Sequence, residues 1–267
     1  MHRIDPLFQR YIGIDYSGAA NADTGLPGIR VYTASNANTA QAITPDATGK
    51  RHWSRRGLAR WIDKQLSDPR PTIIGLDHAF SFPLRYFHTH AIDLDWTAFL
   101  TDFSAHWPTD KAGISVEAIR TGKAGQGFKR HGNARWRRLT EQGSRAKSVF
   151  HFDVPGSVAK STHAGLPWLD TLRQRWGERV HCWPFDGWSV PRGRSVIAEI
   201  YPSLWSADYP RANRTPDQHD AYVVATALQA LDHRGALDGL LTPYLDTDTA
   251  AQAQIEGWIL GVTPSID

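Results

Sequence analysis

At 267 residues and 41% hydrophobic, the chain is long enough for one large domain or for a core carrying a sizeable insertion, and the pattern favours the second. Thirty Lys and Arg against 27 Asp and Glu leave a net charge of +3, so bulk charge alone argues for no polyanionic partner. A single cysteine, Cys182, excludes an intrachain disulfide framework and a multi-cysteine zinc site, fits a reducing compartment, and is expected as a small buried residue on a strand.

The first residues, Met1-His2-Arg3-Ile4-Asp5-Pro6, lack the apolar stretch of a signal peptide, and no apolar run approaches the ~18 residues of a membrane span; a soluble, cytoplasmic protein without membrane contact is expected. Tyr11 to Asp15 reads as a first strand and Ile29 to Thr33 as a second, an antiparallel hairpin across a Gly25/Pro27/Gly28 turn. A poorly marked third strand falls near Gln41 to Thr44. Ser54 is a good N-cap for a helix carrying Leu58, Trp61, Ile62 and Leu66 on one face, closed by Pro69 and Pro71. Thr72 to Asp77 is a nearly continuous apolar strand, which suits a central parallel position. Trp96 to Trp107 predicts another helix, stopped by Pro108. From residue 113 to 192 the pattern weakens and is read as an insertion between core parts 1–112 and 193–267. Within it, helical runs over Ser157 to Trp176 are broken by Gly165 and Pro167, and Val180 to Phe185 reads as a further strand. Order returns with a strand over Ser195 to Tyr201. A helix from Thr215 to Leu231 follows, opened by an N-cap, a first-position proline and a capping-box glutamine in Thr215-Pro216-Asp217-Gln218. A last helical piece is expected over Ala250 to Leu260.

Two of these strands run apolar residues straight into an acid: Ile12-Gly13-Ile14-Asp15 and Ile74-Gly75-Leu76-Asp77. Ionised carboxylates are almost never buried unless they are paired or hold a metal. In each triplet the glycine shares a face with the aspartate, which leaves room there for another element, a metal or a substrate backbone. Each triplet taken alone also fits a strand end whose aspartate caps the next turn. Glu199 interrupts the apolar run Val196 to Tyr201, and a salt bridge to an insertion arginine would explain it equally. Asp217 and Asp220 stand three apart at the start of the last strong helix, on a face that continues through Ala221, Val224 and Leu228, although a solvated pair is common there. If Asp15, Asp77, Glu199, Asp217 and Asp220 converge, five hard oxygen donors suit Mg2+ or Mn2+ better than zinc. Two such ions ~3.5 to 4 Å apart support in-line displacement at a phosphodiester.

Between Arg120 and Lys147 stand nine Lys or Arg (120, 123, 129, 130, 135, 137, 138, 145 and 147) against one acid, Glu141. Phe128 and Trp136 offer stacking faces, and the interleaved glycines permit close approach to phosphates. The segment reads as a mobile arm that binds a nucleic-acid backbone through Lys123, Lys129, Arg130, Arg135, Arg137 and Arg138, or as a solvated loop, or as arginines neutralising the acids from within. Gly122 to Phe128 is not a P-loop, since the lysine and hydroxyl after the last glycine are missing. No GxSxG elbow occurs, and Ser17 has no evident base. His78 and His219, beside the acids, are read chiefly as structural.

An aspartate on the first strand of a hairpin, a second on a central parallel strand and a DxxD pair opening a C-terminal helix together resemble the RNase H-like superfamily, including its Holliday-junction resolvase branch. More specifically, GIDYSGA (Gly13–Ala19), GLDHAFSFP (Gly75–Pro83), RLTE (Arg138–Glu141), WPFDGW (Trp183–Trp188), AEIYPS (Ala198–Ser203) and DQHDAYVVATAL (Asp217–Leu228) resemble, in order and spacing, the domain-of-unknown-function 429 family, described as predicted nucleases of the RNase H fold. The resemblance implies an α/β fold with a five-stranded mixed sheet flanked by helices, and a nuclease using metal-activated water. It also implies Asp15, Asp77 and Asp220 as core metal ligands, with Glu199 and Asp217 as candidates for holding a second metal or for polarising water. Two rivals remain at this stage. One is a phosphotransferase of the actin and sugar-kinase superfamily, against which stands His78-Ala79-Phe80 after Asp77 in place of glycine. The other is a nucleic-acid or protein binding module that kept the acids without catalysis.

Overall fold

The computed structural model describes residues 5–45, 49–142, 144 and 146–263. Strands β1 (Arg10–Asp15), β2 (Arg30–Ser35) and β3 (Asn38–Ile43) lead to helix α1 (Arg55–Ser67), then β4 (Thr72–Asp77), α2 (Leu84–His90) and α3 (Trp96–His106). The short α4 (Val116–Arg120) and α5 (Leu139–Gln142) precede α6 (Ala159–Trp176), β5 (Val180–Trp183) and β6 (Ser195–Glu199). The chain closes with α7 (Pro216–His233), α8 (Leu237–Leu241) and α9 (Thr247–Glu256). One mixed sheet results, in the order β3-β2-β1-β4-β6-β5. The β1–β2 and β2–β3 pairs are antiparallel, and the β1–β4, β4–β6 and β6–β5 pairs are parallel. No helix among the described residues is long and apolar enough to cross a membrane.

The α/β class and the helix-flanked mixed sheet match the expectation from sequence, but the count of five strands does not: the described sheet has six. The additional strand is β5, an edge strand from the segment read as an insertion, and it carries the buried Cys182. That segment also supplies α6, which is unbroken over 18 residues. Pro167 removes the amide that would bond the His163 carbonyl, and the Thr109 hydroxyl donates to that carbonyl instead, at 2.9 Å. At Gly165 a Cβ would lie 2.5 Å from Nε2 of His78, so the absence of a side chain admits the imidazole. Both residues that signalled a break serve tertiary contacts. The stretch 113–192 is therefore woven into the main body.

Strand parity builds two cores. Ile12, Ile14, Ile74, Leu76 and Ile197 face the layer formed by α1, α3 and α6, whereas Tyr11, Ile73, Val196 and Ala198 face that of α7, α8 and α9. Gly13 and Gly75 belong to the second face, and there α7 comes close. A Cβ on Gly13 would stand 2.2 Å from the Ala221 carbonyl oxygen, and one on Gly75 would stand 2.7 Å from Val224. Gly13→Ala is thus expected to force α7 off the sheet at a cost of about 1–3 kcal/mol, read as a lowered urea midpoint; unchanged stability would show that α7 does not rest on Gly13.

Candidate active site

In the parallel β1–β4 pair, Asp15 stands directly beside Asp77. Neighbouring strands lie ~4.8 Å apart, so the two carboxylates leave the sheet side by side at its C-terminal edge. The close approach that Gly13 and Gly75 permit seats the first turn of α7 above them. That turn is set by a complete capping box, with Thr215 accepting from the Gln218 amide and Gln218 accepting from the Thr215 amide. It carries Asp217 and Asp220 to the same place. A cleft of about 440 Å³ is lined by Asp15, Asp77, Asp217 and Asp220, and also by Glu199.

Burial, with repulsion from Asp77, Asp217 and Asp220, pushes the Asp15 carboxyl up to about 9. Burial, Asp220 and Glu199 push Asp77 up to about 8, and burial raises Asp220 as well. The chain treats its fully buried acids differently. Asp232 accepts from the Leu7 and Phe8 amides and the Tyr11 hydroxyl at 2.8–2.9 Å. Glu256 accepts from the Leu84 and Leu139 amides and from Gln252. Among the described residues, Asp15, Asp77, Asp217 and Asp220 have neither a salt bridge nor a side-chain donor. Four carboxylates thus converge with only weak offsets from the protein, the Tyr16 amide at Asp15 and the more distant His219 and Arg211 at Asp220.

Glu199 does not belong to that set as a free ligand. Its Cα partner across β4–β6 is Leu76, so parity turns it to the face opposite Asp77. There Arg138 grips both of its oxygens, at 2.6 and 2.7 Å, and donates through Nε to Glu141 at 2.8 Å. All three side chains are buried. Burial works against the Arg138 charge, yet Glu199 and Glu141 outweigh it and hold its pKa above the ordinary value. Two expectations are corrected together: Glu199 is not positioned as a metal ligand, and Arg138 is not available to a nucleic-acid backbone. The arginine salt bridge considered for Glu199 is what forms. The RLTE motif carried the signal, because it spaces Arg138 and Glu141 for contact across one turn.

The remaining basic residues divide. Lys123, Lys129 and Arg135 are exposed. Arg130 makes a two-pronged pair with Asp102 at 2.7 Å, and Arg137 donates to the Ala146 carbonyl at 2.7 Å. Arg145 lies outside the described residues. Trp136 is not free for stacking on a base, being half-buried against Phe150 with Arg85 over its ring. The segment is packed, not a loose arm. Lys147, which the sequence reading counted only as charge, is exposed and lines the acidic cleft with Gly156 and Ser157.

His78 donates from Nδ1 to the Ala79 carbonyl, and burial lowers its pKa to about 4, so it stands neutral beside the acids. Among the described residues no three His, Cys, Asp or Glu side chains are already arranged to close on one metal ion. The acids share a cleft without forming a finished coordination shell. No protein-family model, curated protein or solved structure matches the chain.

Proposed function

We propose that the acidic cleft belongs to a metal-dependent nuclease of RNase H-like architecture, which hydrolyses phosphodiester bonds. The observation that carries this reading is a contrast among acids: the buried Asp232, Glu256, Glu141 and Glu199 are held by amides, hydroxyls or an arginine, whereas the half-buried Asp15, Asp77, Asp217 and Asp220 converge on one cleft without a salt bridge or a side-chain donor among the described residues. Support for the architecture comes from an antiparallel β1–β2–β3 meander beside parallel β4 and β6, with acids ending β1 and β4 and a DxxD pair opening α7.

The donor set suits a hard divalent cation, being all oxygen and mutually repelling. Asp15, Asp77 and Asp220 would hold Mg2+ or Mn2+, with Asp217 at the rim. Such a cation, when bound, offsets the carboxylate charge, polarises a phosphoryl oxygen and makes water a better nucleophile. The protein's own part is positioning. The paired strand ends fix Asp15 and Asp77, the α7 cap fixes Asp217 and Asp220, and Lys147, which also lines the cleft, supplies a cation for a neighbouring phosphate.

Labelled single-stranded, duplex, hybrid and junction substrates incubated with Mg2+ or Mn2+ test the reading. Metal-dependent cleavage is expected, lowered in Asp15→Asn by about a hundredfold or more, since even outer-shell changes at metal sites cost 10- to 100-fold. Absence of cleavage across the panel by folded protein would refute it.

A further inference from the structure

A second cleft, of about 190 Å³, opens beyond the turn that leads into α6. Its walls are aromatic. Trp107 and Phe152 lie nearly parallel, 10° apart with centroids 6.2 Å apart, and the His163 ring sits against them at 4.5 and 4.6 Å. The indole Nε1 of Trp107 is buried without a partner. At the mouth stands Phe128, 61% exposed. Among the described residues few large apolar side chains are so exposed, and another of them, Val154, stands in the chain between Phe152 of this cleft and Gly156 of the acidic one.

The charges around it select the occupant. Arg120 lies over the Phe152 ring at 4.4 Å, but its guanidinium is held by Asp153 at 2.8 Å and Glu117 at 3.2 Å. Arg130 is held by Asp102. The cleft itself is close to neutral and suits an uncharged planar ring better than a phosphate. Lys129, 5.8 Å from the Phe128 ring, and Lys147 in the acidic cleft have no acidic partner among the described residues, and suit a backbone running between the two clefts. From Phe152 to Gly156 the chain advances four residues, which holds these two wall residues, one in each cleft, within about 14 Å of each other.

We infer that this aromatic cleft binds a nucleobase of a single-stranded nucleic acid whose backbone passes Val154 into the acidic cleft. The inference names the substrate class and rests on the nuclease reading of that cleft. A base reaches such a pocket only when unstacked, so single strands are favoured over duplex, and recognition is tolerant of sequence because every base has a π face.

Fluorescence anisotropy of a labelled 12-nucleotide single strand, measured in EDTA, tests it without metal or turnover. Wild type is expected to bind the strand more tightly than the same strand made abasic, with inorganic polyphosphate a weak competitor. Phe128→Ala is expected to lose about tenfold or more in affinity, and Phe128→Tyr to retain it, as stacking on one aromatic ring predicts. Equal binding by Phe128→Ala, equal binding of the abasic strand, or no binding by wild type would overturn the base site. Because affinity is read without metal, binding without cleavage would sink the nuclease reading alone, and cleavage with Phe128→Ala affinity unchanged would sink the base site alone.

Discussion

Arg138→Met is expected to lower folding stability by about 3–5 kcal/mol, seen as a large drop in the urea midpoint. The loss is not that of one good contact. The guanidinium bonds both oxygens of Glu199 and one of Glu141, so its removal leaves two carboxylates buried with no cation between them. The Phe80 amide, 3.3 Å from Glu199, is a weak substitute. Neutralising the stranded partners should therefore restore most of the loss: the triple variant Arg138→Met, Glu141→Gln, Glu199→Gln is expected within about 1–2 kcal/mol of wild type, because replacing a whole buried ionic group is far cheaper than breaking it. A single variant that loses under 1 kcal/mol, or a triple variant no better than the single, would show that the triad is not what holds β6 to the 138–141 turn. The ion pair also bears on the site. With Glu199 held, the acids left without an arginine in the cleft are Asp15, Asp77, Asp217 and Asp220.

That division was only half legible in the sequence. The Gly-apolar-Asp triplets announced both strands and the shared face of glycine and acid, because strand parity is local. Their side-by-side register, and the fact that the space over Gly13 and Gly75 is taken by α7, depend on pairing across sixty and two hundred residues. Glu199 shows the limit clearly. Its place in an apolar strand marked it as a costly acid, but only the alignment with Leu76 reveals that it turns away from Asp77. The capped start of α7 was readable from four residues. By contrast α2, α4, α5 and α8 span seven residues or fewer and carry little periodicity. The last helix lies earlier than expected, at Thr247–Glu256, since Asp246 caps its start and Gly257, at φ 78°, ends it. In α6 the local signals of Gly165 and Pro167 pointed to a break, and tertiary partners on His78 and Thr109 overrode them.

The metal-free protein should lose stability as pH rises from about 6.5 to 8.5, and Asp15→Asn should remove much of that loss. In the folded state Asp15 holds its proton up to about 9 and Asp77 to about 8, while unfolded aspartate ionises near 4. Between those values the native state binds more protons than the unfolded one, so stability falls with rising pH. Below about 6.5 buried histidines oppose this trend. His78 and His163, held neutral down to about 4 and 3, stay unprotonated in the fold while unfolded histidine takes up protons, which makes stability rise with pH there. The aspartates act alone only above the ordinary histidine range. Full proton linkage would overstate their effect because the cleft is open to solvent; a decline on the order of 2 kcal/mol is expected across the window. In EDTA at pH 8, Asp15→Asn should accordingly melt above wild type. Adding Mg2+ or Mn2+ should reverse the order, because a cation that binds only the folded protein stabilises wild type in proportion to RT ln(1 + [L]/Kd), and the amide forfeits a ligand. Thermal melts of both proteins at pH 6.5 and 8.5, with and without metal, read the two effects separately. Were Asp15→Asn the less stable protein in EDTA at pH 8, the carboxylate cluster would not be strained, and the argument that it is built to receive a cation would fail.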